Sequence, residues 1–399
     1  MKWTEKAIGT FCDTGSGGTP SRDRAAEFYG GSIPWVKSGE LRESIILNAS
    51  ETITEAGLAN SSAKLVPAGA LLVAMYGATV GRVGILGIEA ATNQAVCHII
   101  PKNGEADTRY LFHALQSKLP EFLSRSVGGA QPNISQEIIR RTSISLPPLK
   151  EQRRIAAILD KADTLRQKRR AALQKLDSLT QSIFLDMFGD PTSNPKGWAI
   201  LPLGEIVDEF RYGTSNKSEG VGKPALRIPN VIGGTLDLIE LKTVPVDDAE
   251  FRRLRLEDGD LLFVRTNGNQ DNVGRCAVFD RKLVEGTGYS PDDFIFASYL
   301  IRARFARTKY DPIFLREFLL SSEGRRQLKR LSKTSAGQFN VNTESLGAIR
   351  VIQPPILSQQ VFRRSVDTVG KLRTRYSTGL EVMNLQFESL QHRAFQGEL

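Results

Sequence analysis

The side chains best placed to do chemistry in this 399-residue chain are amides, hydroxyls and guanidinium groups. Catalytic patterns fail one by one. A phosphate-binding loop needs glycines followed by Gly-Lys-Ser/Thr, so that backbone N–H groups and a lysine surround the phosphates. Gly15-Ser16-Gly17-Gly18-Thr19-Pro20 lacks the lysine and runs into proline. An adenine methyltransferase needs a glycine-rich cofactor loop and an Asn-Pro-Pro-aromatic loop. Asn194-Pro195-Lys196-Gly197 is wrong in its last two positions. A metal nuclease needs clustered carboxylates, and Pro291-Asp292-Asp293 has no acidic-x-Lys following at useful spacing. His98, His113 and His392 are far apart in sequence, which leaves histidine acid–base work unsupported. His98 falls in a strand-like run and His113 in a helix, so both read as structural. Cys12, Cys97 and Cys276 form no CxxC pair, which argues against a disulfide framework and a zinc site and points to a reducing cytoplasm. The expectation is a chain with no catalytic site, no metal and no cofactor of its own.

Nucleic-acid reading is better supported. Lys+Arg number 53 against 44 Asp+Glu, a formal charge of +9. A basic excess gains free energy on duplex DNA by releasing its condensed counterions. Arg252, Arg253, Arg255, Arg302, Arg304, Arg307, Lys309, Arg325, Arg326, Lys329 and Arg330 concentrate in the second half. Base edges are read by Arg, Lys, Asn and Gln. The loop Arg265-Thr266-Asn267-Gly268-Asn269-Gln270-Asp271-Asn272 is dense in such groups and follows an apolar strand. Candidate DNA contacts are Lys37, Tyr76, Thr79, Arg82, Gln131 and Asn133 in the first half. In the second they are Arg227, Arg265, Asn267, Asn269, Gln270, Arg275, Gln338 and Asn340.

These groups must be positioned by a scaffold, and the scaffold occurs twice, with a period near 200 residues. Trp3 with Ile8-Gly9 returns as Trp198 with Leu203-Gly204. Ile33-Pro34-Trp35-Val36 returns as Arg227-Ile228-Pro229-Asn230-Val231, and Gly69-Ala70-Leu71-Leu72-Val73 as Gly259-Asp260-Leu261-Leu262-Phe263. Gly81-Arg82 returns as Gly274-Arg275, Gln131-Pro132-Asn133-Ile134 as Gln338-Phe339-Asn340-Val341, and Pro147-Pro148-Leu149 as Pro354-Pro355-Ile356. A period this long makes each copy a whole domain. Within a copy, short apolar runs such as 70–75, 84–86 and 96–100 have strand length. One amphipathic helix is predicted near 108–126 and again near 312–331. A long helix follows each copy. Ile155, Ile158, Ala162, Leu165, Ala172, Leu176, Leu179 and Ile183 fall at steps of three and four, with Arg169 in one seam position. Val366, Val369, Tyr376, Leu380, Met383, Phe387, Leu390 and Ala394 do the same around Arg373. Sustained heptads predict coiled-coil pairing; the alternative is that each helix packs on its own domain. The class is α+β: residues 1–147 a first domain, 148–189 a central long helix, 190–354 a second domain and 355–399 a C-terminal long helix. The start, Met1-Lys2-Trp3-Thr4-Glu5, has no apolar leader run, and no stretch reaches the roughly 20 apolar residues of a membrane span. A cytoplasmic protein that does not enter membranes is expected.

The run Leu146-Pro147-Pro148-Leu149-Lys150-Glu151-Gln152-Arg153-Arg154-Ile155, with Gln131-x-Asn133-Ile134 just before it, resembles the specificity subunit of type I restriction-modification systems. The resemblance covers essentially the whole chain. The second copy keeps Gln359 but has Ser358 where the first has Glu151, which is expected to loosen one helix start. The resemblance implies two target-recognition domains, each reading one half of a split, asymmetric duplex target, and two helices paired as an antiparallel coiled coil that sets the spacing. A helix of about 37 residues is roughly 55 Å long at a rise of 1.5 Å per residue. It also implies partners: two methyltransferase subunits using S-adenosylmethionine, and a restriction/translocase subunit using ATP and Mg. Arg153, Arg154, Lys161, Arg166, Lys168 and Arg170, on the outward helix face, are the expected partner contacts. Three other readings stay open: a related system with a fused nuclease-methyltransferase partner, a stand-alone bipartite DNA-binding regulator, and an interaction scaffold with no DNA role.

Overall fold

A computed structural model describes residues 3–42, 44–102, 104–125, 133–335 and 337–399, with only the backbone of Arg125 and Ser335. Four helices organise it: α1 (Thr108–Ser117), α2 (Leu149–Phe188), α3 (Pro312–Leu320) and α4 (Ile356–Gln396). The chain divides into two compact units, Met1–Ala171 with Ser377–Leu399, and Ala172–Tyr376. Each unit therefore contains part of both long helices.

In unit 1 a five-stranded sheet runs in the order Cys12–Ser16, Val96–Pro101, Leu71–Ala74, Val83–Leu86, Ile45–Ile46. The first four strands are antiparallel neighbours. In unit 2 a four-stranded sheet repeats that core: Glu209–Tyr212, Leu300–Arg304, Leu261–Val264, Cys276–Val278. A second sheet also recurs around a parallel pair. Trp35 and Val36 pair with Ala91 and Thr92, as Ala225 and Leu226 pair with Ile295 and Phe296. This corrects one sequence landmark: Ile33–Val36 corresponds to Lys223–Leu226, and Ile228–Val231 is a short helix after that strand. The displaced match arose because both places carry an x-Pro-x-Val/Leu string.

The helices near 108–126 and 312–331 are each broken in two. Pro120, lacking an N–H, sits in the first turn of Leu119–Arg125. Ser321 is extended, and its hydroxyl accepts from the Gly324 N–H to cap Ser322–Leu331.

One side chain fixes each long helix to its domain. Gln152 is 1% exposed; its Oε1 accepts the Asp107 N–H (2.8 Å), and its Nε2 donates to the carbonyls of Glu105 (3.1 Å) and Pro147 (2.8 Å). Gln359 is 0% exposed and repeats all three bonds, to Asp311 N–H (2.9 Å), Lys309 O (3.0 Å) and Pro354 O (2.8 Å). Asp107 and Asp311 in turn cap α1 and α3. Replacing Glu151 by Ser358 leaves this arrangement intact, because Glu151 only pairs with exposed Arg154 at 2.7 Å.

The two long helices run antiparallel. Arg166 Nε donates to Asn384 Oδ1 (2.9 Å) within unit 1, and Arg373 Nε to Asp177 Oδ1 (2.8 Å) within unit 2. Eleven residues forward on α2 correspond to eleven back on α4. One row of the predicted α2 seam holds, with Ile155 buried and Ala162, Arg169, Leu176 and Ile183 half-buried, while the other row is displaced by one residue. Leu159 is buried, Arg166 and Leu173 are half-buried, and Leu165 (49%) and Leu179 (39%) are exposed. Arg166 is a correction as well. Its side chain is only 14% exposed and stacks 4.1 Å from the Phe387 ring, so it does not lie on an outward face. An apolar periodicity could not show that an arginine would take a seam position by resting its guanidinium on an aromatic face.

Each unit also packs α2 differently. In unit 1, Asp160 accepts from Arg109 (2.7 and 2.9 Å) and pairs with buried His113 (2.7 Å). Burial pushes the Asp160 carboxyl up, but the bonds from His113 and Arg109 outweigh it and hold it below its ordinary value. In unit 2 the C-terminal end of α2 packs through rings: Phe314 lies 5.6 Å from Phe184 and 4.9 Å from Phe188, and Phe362 lies 5.4 Å from Phe188.

Gln152→Leu removes three hydrogen bonds and strands buried backbone groups, each worth about 1–3 kcal/mol. The expected result is a loss of at least about 3 kcal/mol from unit 1, read as faster hydrogen exchange at 105–111, with exchange at 309–315 unchanged. Gln359→Leu should reverse the pattern.

Candidate nucleic-acid interface

The same four chain segments meet in each unit. In unit 1, Met75 N–H donates to Ala95 O (2.8 Å) and Ile134 N–H to Met75 O (2.9 Å). Tyr76 bridges Asn133, and Gly17 and Gly18 N–H donate to Val96 O (3.2 Å) and Thr92 O (2.9 Å). Residues 17–19, 75–79, 93–95 and 133–134 thus form one patch. In unit 2, Arg265 N–H donates to Tyr299 O (2.9 Å) and Val341 N–H to Arg265 O (2.9 Å). Thr266 pairs with Asn340, and Ser298 N–H donates to Thr214 O (2.7 Å). Residues 213–214, 265–267, 297–299 and 338–341 form the equivalent patch. The approach is close enough to require glycine. A Cβ on Gly17 would lie 2.0 Å from Thr92 O, and one on Gly213 2.2 Å from Phe296 O.

Several predicted contacts come together here. Tyr76 is 40% exposed, Arg82 and Asn133 are exposed, and Thr79 is half-buried with its hydroxyl toward Tyr76 O at 3.4 Å. Gln131 lies outside the described residues. In unit 2, Arg265 stacks 4.7 Å from the Tyr212 ring, with Nη1 3.4 Å from Ser298 O. Asn267 and Asn340 share a three-stranded sheet with Gln338, formed by Thr266–Asn267, Gln338–Asn340 and Lys333–Ser335.

Other candidates are occupied within the fold. Asn267 Oδ1 accepts the Asn269 N–H (2.9 Å), and Asn269 Oδ1 the Asp271 N–H (2.9 Å), both shaping the loop. Gln270 Nε2 donates to Lys329 O (3.1 Å) and Ser332 Oγ (2.9 Å) and so braces the loop against a neighbouring helix. Gln338 Oε1 accepts from Thr266 (3.0 Å), and Asn340 Nδ2 donates to Gln338 O (3.2 Å). Lys37 pairs with Glu51 at 2.5 Å; that bond, then Arg22, holds the Glu51 carboxyl below its ordinary value. Arg227 lies 3.2 Å from Glu240 and buries its Nε without a partner, as does Arg275. Lys37 and Arg227 occupy equivalent positions, since their N–H groups donate to Glu40 and Asn230 three residues on.

The arginine count overstated the free positive charge. Arg302 is 1% exposed; it bonds Glu209 and donates to the carbonyls of Arg253 (3.3 Å) and Arg255 (2.9 Å). Arg304 is held by Asp260 (2.7 Å) and Glu257 (2.8 Å), Arg307 by Asp258 (3.0 Å). Arg325 props the loop by donating to Asp271 O (3.0 Å) and Val273 O (2.9 Å). Arg252, Arg253, Arg255 and Arg330 are exposed.

Sequence reasoning missed Thr19, Gln94, Tyr212 and Tyr299, which stand on these patches. Thr19 and Gln94 are exposed and hydrogen-bonded to each other; Tyr212 is 38% and Tyr299 59% exposed. The glycine run before Thr19, tested only as a phosphate loop, was the available signal.

The fold is a duplicated α+β domain, each copy bearing a polar patch on a shared scaffold and leading into a long helix. Residues 1–175 match the type I restriction modification DNA specificity domain. The chain is 26% identical over 325 residues to the type I restriction enzyme EcoKI specificity subunit of Escherichia coli K12, spanning 76% of this chain and 68% of that one. It is 29% identical to the MjaIX specificity subunit of Methanocaldococcus jannaschii over 51% of each chain. The fold matches the type I restriction-modification S subunit from M. genitalium (TM-score 0.58, 16% identity, 98% of this chain and 96% of that one). It also matches a chain from a structure of type I R-M complex assembly (TM-score 0.61, 18% identity, 100% and 98%). Residues 1–175 thus match that specificity-domain family, and the chain is similar over most of its length to specificity subunits of type I restriction-modification systems.

Gln270→Ala should act on the loop and not on a base. Hydrogen exchange at 267–273 is expected to quicken, and any DNA affinity to fall evenly on all sequences. A change confined to one base position would return Gln270 to the reading residues.

Proposed function

We propose that this chain is the DNA sequence-recognition subunit of a type I restriction-modification complex. Each unit reads one half of a bipartite, asymmetric duplex target. The observation that carries this reading is the pair of equivalent patches with unlike side chains: Met75, Tyr76, Gln94 and Ala95 in one stand where Arg265, Thr266, Ser298 and Tyr299 stand in the other. A shared scaffold fixes where a base edge would lie, and different donors and acceptors then select different bases. The chemistry belongs to the partners. Two methyltransferase subunits supply S-adenosylmethionine-dependent methylation, and a restriction/translocase subunit supplies ATP- and Mg-dependent cleavage. This chain alone transfers no methyl group and cuts no DNA. A fused nuclease-methyltransferase partner would use the same surfaces.

The partner surface lies along α2 and α4. Arg153, Arg154, Lys161, Lys168 and Arg170 are exposed there. So are Leu165 and Leu385 in unit 1 and Leu179 and Leu372 in unit 2. Arg166, turned into the seam, drops out of the set. No described helix is long and apolar enough to cross a membrane.

Two measurements test this. Methylation sequencing of a host carrying the complex should give a two-part motif. Arg265→Ala is expected to relax one part by about 1–3 kcal/mol of discrimination, and Tyr76→Ala the other. Equal weakening on every sequence would make both phosphate contacts. The second test lengthens the helices. One heptad inserted before Ala172 and one before Thr378, at matched levels of the antiparallel pair, adds about 10 Å of helix. The gap between the two half-sites is expected to grow by about two to three base pairs at 3.4 Å each, with both half-site sequences unchanged. An unaltered gap would show that the helices do not set it.

A further inference from the structure

We infer that the first unit recognises adenine through the Gln94 carboxamide, held in place by the Thr19 hydroxyl. The inference rests on the DNA-reading role proposed above. It extends that role to a residue and a base.

Gln94 sits at the tip of a turn that is fixed on every side. Asn93 N–H donates to Val36 O (3.0 Å), Val96 N–H to Asn93 O (3.1 Å), Gly18 N–H to Thr92 O (2.9 Å) and Met75 N–H to Ala95 O (2.8 Å). The turn that carries Gln94 is thus held by two other segments of the patch and by Val36, while its side chain is exposed. A reading group on a rigid support loses little entropy when it binds.

Thr19 holds the amide in place. Its hydroxyl donates to Gln94 Oε1. The oxygen keeps a second lone pair, and both Nε2 protons remain to donate. An acceptor beside a donor matches the adenine major-groove edge, where N6–H donates and N7 accepts. Guanine presents O6 and N7, both acceptors, so Oε1 would face O6 and be repelled. The hydroxyl and the amide together therefore favour adenine over guanine.

Unit 2 shows what the same turn does with other residues. Val36–Thr92 and Leu226–Phe296 are equivalent pairs, which places Ser298 at the level of Gln94. Ser298 N–H donates to Thr214 O (2.7 Å), and its carbonyl lies 3.4 Å from Arg265 Nη1. There the turn steadies a guanidinium and contributes no amide, so no Gln94-like reading is expected in the second half-site.

The test uses the assembled complex with its methyltransferase subunits. Competing duplexes carry every base at each position of both half-sites, with melting temperature as the control for folding. Gln94→Ala should flatten the preference at one A·T pair of one half-site by roughly 5- to 150-fold. Gln94→Glu, which only accepts, should move that preference to cytosine, whose N4 donates. Thr19→Val should weaken the adenine preference without changing its position. Preference unchanged in Gln94→Ala and Gln94→Glu, or affinity lost evenly on all sequences, overturns the inference while leaving the two-part reading in place. A wild-type complex with no two-part target overturns the parent reading itself.

Discussion

Each recognition unit depends on one buried glutamine. Gln152 and Gln359 join the first backbone N–H before α1 or α3 to the carbonyl of the first proline in a Pro-Pro pair. Neither proline contributes an N–H there, so the prolines themselves cannot donate to the neighbouring segment. The side chain supplies what the backbone lacks, and it does so inside the protein, where a missing bond costs more than a formed one gains. Because the clamp meets only backbone groups, the residues around it can diverge. This is why Glu151 could become Ser358 without altering the geometry: the glutamate pairs at the surface, where such contacts are worth little.

The clamp fixes where a long helix starts, and the packing beside it then varies. Unit 1 uses an Asp160–His113–Arg109 ion cluster, and unit 2 uses Phe184, Phe188, Phe314 and Phe362. An ion cluster needs each partner in place, since one buried charge left alone is costly. An aromatic cluster tolerates volume-conserving change more readily. The two ends of α2 are therefore supported by two kinds of interior.

The parts legible in the sequence were those with a periodic or repeated signature. Strands at Leu71–Ala74 and Val96–Pro101, the long helices and the Pro-Pro landmarks came through because burial imposes a pattern on consecutive residues. What failed depended on partners distant in sequence. Leu165 and Ile158 fit a heptad on α2 as well as the true seam does. Only α4 decides, by placing Asn384 and Phe387 against Arg166. Charge misled in the same way. Arg302, Arg304 and Arg325 look like DNA contacts in the sequence, yet each is spent on a carboxylate or carbonyl contributed from some 44 to 93 residues away. Gln94 was invisible for the opposite reason: its neighbours in sequence are bland, and its significance comes from Thr19, 75 residues earlier.

Those misses reveal how scaffold and reading surface are divided. The bonds that join the four segments of each patch run largely between backbone groups: Met75 to Ala95, Arg265 to Tyr299, Ile134 to Met75, Val341 to Arg265. Backbone bonds do not depend on side-chain identity, apart from glycines such as Gly17 and Gly213 where a Cβ has no room. A patch built this way can exchange Tyr76 for Thr266, or Gln94 for Ser298, and stay assembled. The side chains that do take part in the scaffold either brace the loop against its neighbours, as Gln270 and Arg325 do, or shape it from within, as Asn267 and Asn269 do. Two copies of one fold can then offer different donors and acceptors at the same places. A protein that reads two unlike half-sites requires that property, and it follows from leaving the framework to the main chain.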